Sequence, residues 1–218
     1  MKKRLVIALF LIILLTTINS RQSFFVSKFN LNKIVIENNL LLKEKDVKSL
    51  LIPFYNKNLI LLDNNEVKIA LLQNSFIESF NIKKKYPNTL KIEIFEKKPI
   101  AVLFNKKNKF YLSEKIDLIE FRNLPNYQQL PYVLGNKNDF KIFYDNLKKI
   151  NFPLNVVKKY ILYETNRWDL ETIDNQTIKL PPKNYIKSLE NFLNIKSKKN
   201  FEKFELFDYR INNQLILK

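Results

Sequence analysis

Few residues in this chain have types and spacing suited to covalent chemistry. Ser113 stands two residues before Lys115, and Ser197 directly before Lys198. These are the pairings a Ser/Lys hydrolase uses, a hydroxyl nucleophile with an amine as base. Of 38 basic residues only five are arginine (Arg4, Arg21, Arg122, Arg167 and Arg210), so lysine is dense enough to fall near most serines by chance. Two carboxylates could cleave a glycoside, yet nothing singles out a pair among the 21 acids. The chain has no histidine and no cysteine. That removes the imidazole base, the thiol nucleophile, the usual zinc ligands and the disulfide. Gly135 is the one glycine, and the dinucleotide fingerprint, the phosphate-binding loop and the nucleophile elbow each need at least two. The expectation is a non-enzymatic protein with no catalytic residue, metal site, cofactor or small-molecule substrate. An exported, membrane-anchored Ser/Lys hydrolase is the enzymatic alternative.

The formal charge is +17, carried mostly by lysine, with asparagine also abundant at 29 of 218 residues. Surfaces that read nucleic acid depend on arginine for bidentate and stacked contacts, so the charge reads as solvated surface and no nucleic-acid partner is expected. Non-specific adhesion to anionic lipid or nucleic acid is the other reading of that charge, and it would fall steeply with salt.

What remains is backbone chemistry. A strand at the edge of a sheet has one unpaired row of N–H and C=O groups, which a partner segment can complete. The candidate is the stretch Asp208 to Leu217, near the carboxy end. Tyr209, Ile211 and Leu215 are its apolar or aromatic contacts, Arg210 a clamp for an acidic partner, and Asp208, Gln214 and Leu217 complete the set. Against this, Phe204, Leu206, Leu215 and Leu217 could be ordinary core residues beside a solvated edge.

The elements that must position this edge follow from periodicity. Lys2, Lys3 and Arg4 precede an apolar run from Leu5 to Ile18 without a charge, oriented by the cations with its amino end inside. Fourteen residues make about 21 Å of helix, short for a span and comfortable for a signal-peptide core. Phe29 to Ile36 reads as a strand ending at Asn38-Asn39. Val47, Leu50, Leu51 and Phe54 mark one helix, and Asp63-x-x-Glu66 opens a second with Val67, Ala70 and Leu71 inward. Phe76 to Ile82 and Leu90 to Ile94 are strands joined at Tyr86-Pro87-Asn88, with Lys83-Lys84-Lys85 at the turn.

Beyond Pro99 the texture is β-rich. A hairpin joins Ile100–Phe104 to Lys109–Leu112. Asp139 caps a helix with Phe143, Leu147 and Ile150 inward. Strands follow at Tyr160–Glu164, Trp168–Ile173 and Thr177–Leu180. Pro181-Pro182 starts a helix bearing Ile186, Leu189 and Leu193, and Phe204–Arg210 pairs with Gln214–Leu217 around Asn212-Asn213. Trp168, the sole tryptophan, is expected in the core.

In order, Phe29-x-x-x-x-Ile34-x-Ile36-x-Asn38-Asn39, Asn58 to Asp63, Phe76-Ile77-Glu78 and Lys83 to Ile92 resemble a POTRA domain of the FtsQ/DivIB cell-division family. Glu96-Lys97-Lys98-Pro99-Ile100-Ala101 resembles that family's junction into its β domain. Leu130-Pro131 with Gly135, Arg167-Trp168 and Asp208-Tyr209-Arg210 resemble its later landmarks. Asn38 stands where glycine is common, and Phe104 where tryptophan is frequent.

The resemblance implies an α+β fold: an N-terminal transmembrane helix, a β-α-α-β-β POTRA domain, and a C-terminal mixed α/β domain dominated by antiparallel strands. The implied division is a cytoplasmic tail at 1–4, a transmembrane anchor at 5–20, a tether at 21–28, the POTRA domain at 29–98 and the β domain at 99–218. It further implies a single-pass protein of the bacterial inner membrane with its domains in the periplasm, a divisome scaffold. The implied partners are the small division proteins FtsB and FtsL, gripped at the C-terminal edge, and other division proteins near the POTRA domain.

Overall fold

A computed structural model describes residues 2–16, 28–105, 108–196, 203–211 and 214–218. The first helix, α1, covers Lys2–Thr16, 15 residues. At ~1.5 Å per residue it is about 22 Å long, against about 30 Å of hydrocarbon. Among the described residues no helix is long and apolar enough to cross a membrane. The expected transmembrane helix over 5–20 is corrected on that ground. Residues 17–27, which include all of the expected tether but Lys28, lie outside the described residues.

The chain divides after Lys97 into two compact units. In the first, β1 (Lys33–Glu37) leads to α2 (Glu44–Leu50), α3 (Asn64–Leu71), β2 (Ile77–Lys85) and β3 (Thr89–Glu96). The sheet order is β1-β3-β2, with β1 parallel and β2 antiparallel to β3. Alternation sets the faces: Ile34 and Ile36 of β1 and Leu90, Ile92 and Ile94 of β3 are buried, as are Val47, Val67 and Leu71 of the two helices. Asn38 takes the left-handed turn at φ 62°, a conformation that asparagine tolerates better than most residues. Asp63 caps α3 by accepting the Asn65 amide at 2.8 Å, but Glu66 does not close the box and pairs with Lys57 at 3.0 Å. The lysine run departs from expectation, since Lys83, Lys84 and Lys85 continue β2 opposite Lys91, Leu90 and Thr89 rather than forming the turn. Glu96, at the end of β3, accepts the amides of Leu40, Leu41 and Leu42 at 3.2, 2.7 and 2.8 Å and so ties the β1–α2 loop to the sheet.

The second unit is one nine-stranded sheet. Its strands are β4 (Pro99–Asn105), β5 (Asn108–Ser113), β6 (Leu118–Glu120), β7 (Tyr132–Leu134), β8 (Val157–Leu162), β9 (Trp168–Thr172), β10 (Thr177–Lys179), β11 (Leu206–Asp208) and β12 (Ile216–Leu217). The spatial order is β12-β11-β10-β9-β8-β7-β4-β5-β6. Five pairings are antiparallel, while β4–β7, β7–β8 and β10–β11 are parallel. Two helices, α4 (Lys137–Lys149) and α5 (Tyr185–Lys196), contribute Phe140, Phe143, Leu147, Leu189 and Phe192 to the core, against Ala101, Leu103, Leu112, Val133, Tyr160, Leu170, Ile178 and Phe207 of the strands. Trp168 is a core residue, stacked on Phe143 at 4.7 Å and 12°.

Gly135 follows β7 where a Cβ would stand 2.9 Å from Leu162 Cβ, so the backbone approaches there only because the side chain is missing. Two helix starts differ from expectation. Asn136, not Asp139, caps α4 by accepting the Asp139 amide at 2.9 Å, and α5 begins at Tyr185, four residues after Pro181.

Candidate functional site

The carboxy-terminal edge is built from the sheet outward. Parallel pairing sets Lys179 of β10 against Asp208 of β11, and antiparallel pairing sets Phe207 and Asp208 against Leu217 and Ile216 of β12. The backbone amides of Glu205 and Leu206 donate to Lys218 O at 2.8 and 3.1 Å, and Tyr209 N donates to Lys179 O at 2.9 Å. Among the described residues β12 has β11 on one side and no strand on the other. A strand so placed aims its second row of backbone groups away from the sheet.

Charge lines the sheet just inside this edge. Arg210 donates to both carboxylate oxygens of Asp208, Nη2 to Oδ2 at 2.6 Å and Nε to Oδ1 at 2.9 Å, while its backbone N–H adds a bond of 3.0 Å to Oδ1. The guanidinium beside it holds the Asp208 carboxyl below the usual carboxylate range. Two strands away, Arg167 donates to Asp169 at 3.0 and 3.3 Å and lies 4.3 Å over the Tyr163 ring. Burial pushes the Asp169 carboxyl up, with Arg167 pulling the other way. Lys179, opposite both Asp169 and Asp208, joins the two pairs into one ladder of five charges.

Behind the edge is a cavity of about 300 Å³. Lys183, Lys187 and Asn191 line it from the α5 side, and Tyr209, Ile211 and Leu215 from the terminal segment. The Tyr209 hydroxyl donates to Asn191 Oδ1 at 3.1 Å, and burial of the ring pushes the phenol up.

The residues read from the sequence therefore occupy different layers. Asp208 and Tyr209 are buried, at 6 % and 7 % exposure. Arg210 is exposed, with its guanidinium held by Asp208. Ile211 and Gln214 are exposed, and Leu215 and Leu217 are half-buried against the core. The turn expected at Asn212-Asn213 lies outside the described residues. Sequence reasoning missed Lys179, Asp169 and Asn191, because their roles come from pairing across strands and helix that lie far apart along the chain.

The serine of the alternative Ser113/Lys115 pairing closes a turn: Ser113 Oγ accepts the Asp117 amide at 3.0 Å, and Ser113 itself is 3 % exposed. Ser197 and Lys198 lie outside the described residues.

Known sequences resemble the first unit and, at low identity, most of the chain. The family profile described as "POTRA domain, FtsQ-type" matches residues 29–97. The cell division protein FtsQ of Rickettsia felis is 25 % identical over 203 residues, spanning 91 % of this chain and 75 % of that protein. Its counterpart in Rickettsia conorii is 24 % identical over 202 residues with the same coverage. The major extracytoplasmic domain of the cell division protein DivIB from Geobacillus stearothermophilus aligns at a TM-score of 0.35 and 14 % identity, covering 49 % of this chain and 96 % of that one.

The first unit is thus a POTRA domain of the FtsQ type, followed by a β-rich unit. Over 91 % of its length the chain is similar in sequence to curated cell division proteins FtsQ.

Proposed function

We propose that this protein is a non-enzymatic scaffold of the division machinery, working on the outer side of the cytoplasmic membrane. It captures a segment of an FtsB- or FtsL-type partner by adding a strand beside β12. The observation that carries this reading is the position of β12 at the end of a nine-stranded sheet. The strand is only two residues long, so a partner strand would extend a pairing that the chain leaves unfinished. Main-chain hydrogen bonds supply the attraction, and alternate side chains supply selectivity. Ile211 and Leu215 then meet apolar side chains of the partner at the cavity mouth. Arg210, already oriented by Asp208, presents its remaining N–H groups to a carboxylate.

The test is capture of an FtsB-type extracytoplasmic segment by the full chain. Ile211→Asp, at an exposed position, should weaken capture by about tenfold or more, equivalent to at least ~1.4 kcal/mol, with circular dichroism unchanged. Truncation after Asp208 should abolish it. Undiminished capture by the truncated chain would sink the reading.

A further inference from the structure

One end of the POTRA unit is closed by three segments. The Leu59 amide donates to Phe29 O at 2.8 Å, which ties the loop before α3 to the chain entering the unit. The amides of Asn32 and Lys33 donate to Asn88 O at 3.0 and 3.2 Å, which ties that entry to the β2–β3 turn. Phe29 and Tyr86 meet edge to face at 6.3 Å, and Lys84 donates to Leu62 O at 2.6 Å.

The fold holds apolar side chains outward at this end. Asn58 Oδ1 accepts the amides of Ile60 and Leu61 at 2.9 and 3.4 Å, while Leu59 and Leu62 on either side are buried. The braced bend leaves Leu61 82 % and Ile60 50 % exposed, and Tyr86 on the turn is 56 % exposed. A single exposed apolar residue is ordinary. Two in succession on a fixed loop, at the end that also exposes an aromatic ring, form a patch.

Positive charge collects at the same end. Lys33 and Lys85 flank Thr89 on the sheet face away from the helices, both exposed, and Lys28 is exposed where the chain enters. None of the three makes an ion pair among the described residues. The acids that follow the loop are occupied, Asp63 by the Asn65 amide and Glu66 by Lys57.

The chain also reaches this end from an apolar segment. α1 exposes large apolar side chains from Leu5 to Leu14. Residues 17–27, between α1 and Lys28, can span no more than about 40 Å. A lipid contact made by α1 would therefore keep this end of the unit within reach of the same surface.

We infer that this end of the POTRA unit seats on the surface of an anionic phospholipid bilayer. Ile60 and Leu61 enter the acyl boundary, Tyr86 lies at headgroup depth where amphipathic rings collect, and Lys28, Lys33 and Lys85 meet the phosphates. The core of a protein interface is depleted in lysine, whereas a bilayer surface takes apolar and cationic groups side by side. The contact supplies a second lipid signal beside a short apolar segment, and two such signals hold where one is marginal. It concerns a different unit from the β12 reading and does not depend on it.

The chain has no cysteine, so Leu61→Cys and Leu40→Cys each create a single labelling site. Leu40 is also exposed, but its amide is tied to Glu96 at the opposite end of β3. The full chain, labelled with the environment-sensitive fluorophore NBD, is reconstituted into nanodiscs of phosphatidylcholine with or without phosphatidylglycerol, with doxyl-lipid as quencher. On phosphatidylglycerol the probe at 61 should shift to the blue and be quenched, while the probe at 40 stays solvent-like. Lys33→Gln with Lys85→Gln should lower the ratio of seated to unseated ends by about fivefold per lysine removed, with circular dichroism unchanged. Ile60→Asp beside the label should weaken the response further, as should added salt. Equal responses at 61 and 40, or a response at 61 as strong on phosphatidylcholine alone, would overturn the proposal. So would a blue shift that grows with protein concentration in detergent without a bilayer, or one that requires an added FtsB-type segment.

Discussion

At the scale of single residues, the informative cases are polar atoms inside the second unit. Tyr160 is 1 % exposed, ringed by Phe140 and Phe143 at 5.2 and 6.3 Å, and its hydroxyl has no hydrogen-bond partner among the described residues. A buried hydroxyl without a partner costs about 1–3 kcal/mol. Tyr160→Phe is therefore expected to stabilise the protein by about 1 kcal/mol, read as a higher urea midpoint with an unchanged slope. Asp208 is the contrasting case, buried but fully engaged by Arg210. The sequence offered Arg210 as a free clamp. Its internal partner is two residues away, too close to tell from sequence, because a strand puts positions i and i+2 on one face whether or not they bond.

At the scale of elements, the periodic signals were dependable and the boundaries less so. Leu90, Ile92 and Ile94 announced β3 by strict alternation, and Asp63 marked the start of α3. The short strands were harder. β7 has three residues inserted in parallel between β4 and β8, so its only signature is a register shared with residues 30 positions before it and 27 after. β6, also three residues, left no legible pattern in the sequence.

Asp139 looked like a helix cap because it precedes an apolar periodicity. The structure gives that role to Asn136, whose side chain accepts the Asp139 amide and donates to its carboxylate at 2.5 Å. Asn136→Ala is expected to cost about 1 kcal/mol, measured by thermal or urea unfolding. A cost no greater than that of an exposed surface substitution would mean that the cap contributes little.

At the scale of the whole molecule, composition excluded more than it assigned. The lack of histidine and cysteine and the single glycine turned attention from side-chain chemistry to strand edges, and the sheet of each unit has two among the described residues. The apolar amino-terminal run was legible as a helix, but its length as a span was not, since α1 covers Lys2–Thr16. Pairing at β12 rests on backbone bonds, and raising salt from 50 to 300 mM is expected to change FtsB-type capture by no more than about threefold. Capture through exposed charges would instead fall steeply, because such charges are screened within a Debye length of about 6–14 Å over that range. A salt titration of the capture measures this, and a steep fall would count against backbone pairing at β12.

Six turn positions with positive φ, at Asn38, Asn56, Asn151, Asn166, Asn175 and Asn184, are asparagine in a protein that hardly uses glycine. Glycine would adopt these angles more readily, but it would also leave the denatured chain more disordered. By giving up some ease in the bend, the molecule has less freedom to surrender when it folds. Its loops are thus stiffened from the unfolded side of the equilibrium, where no contact in the native structure records the gain.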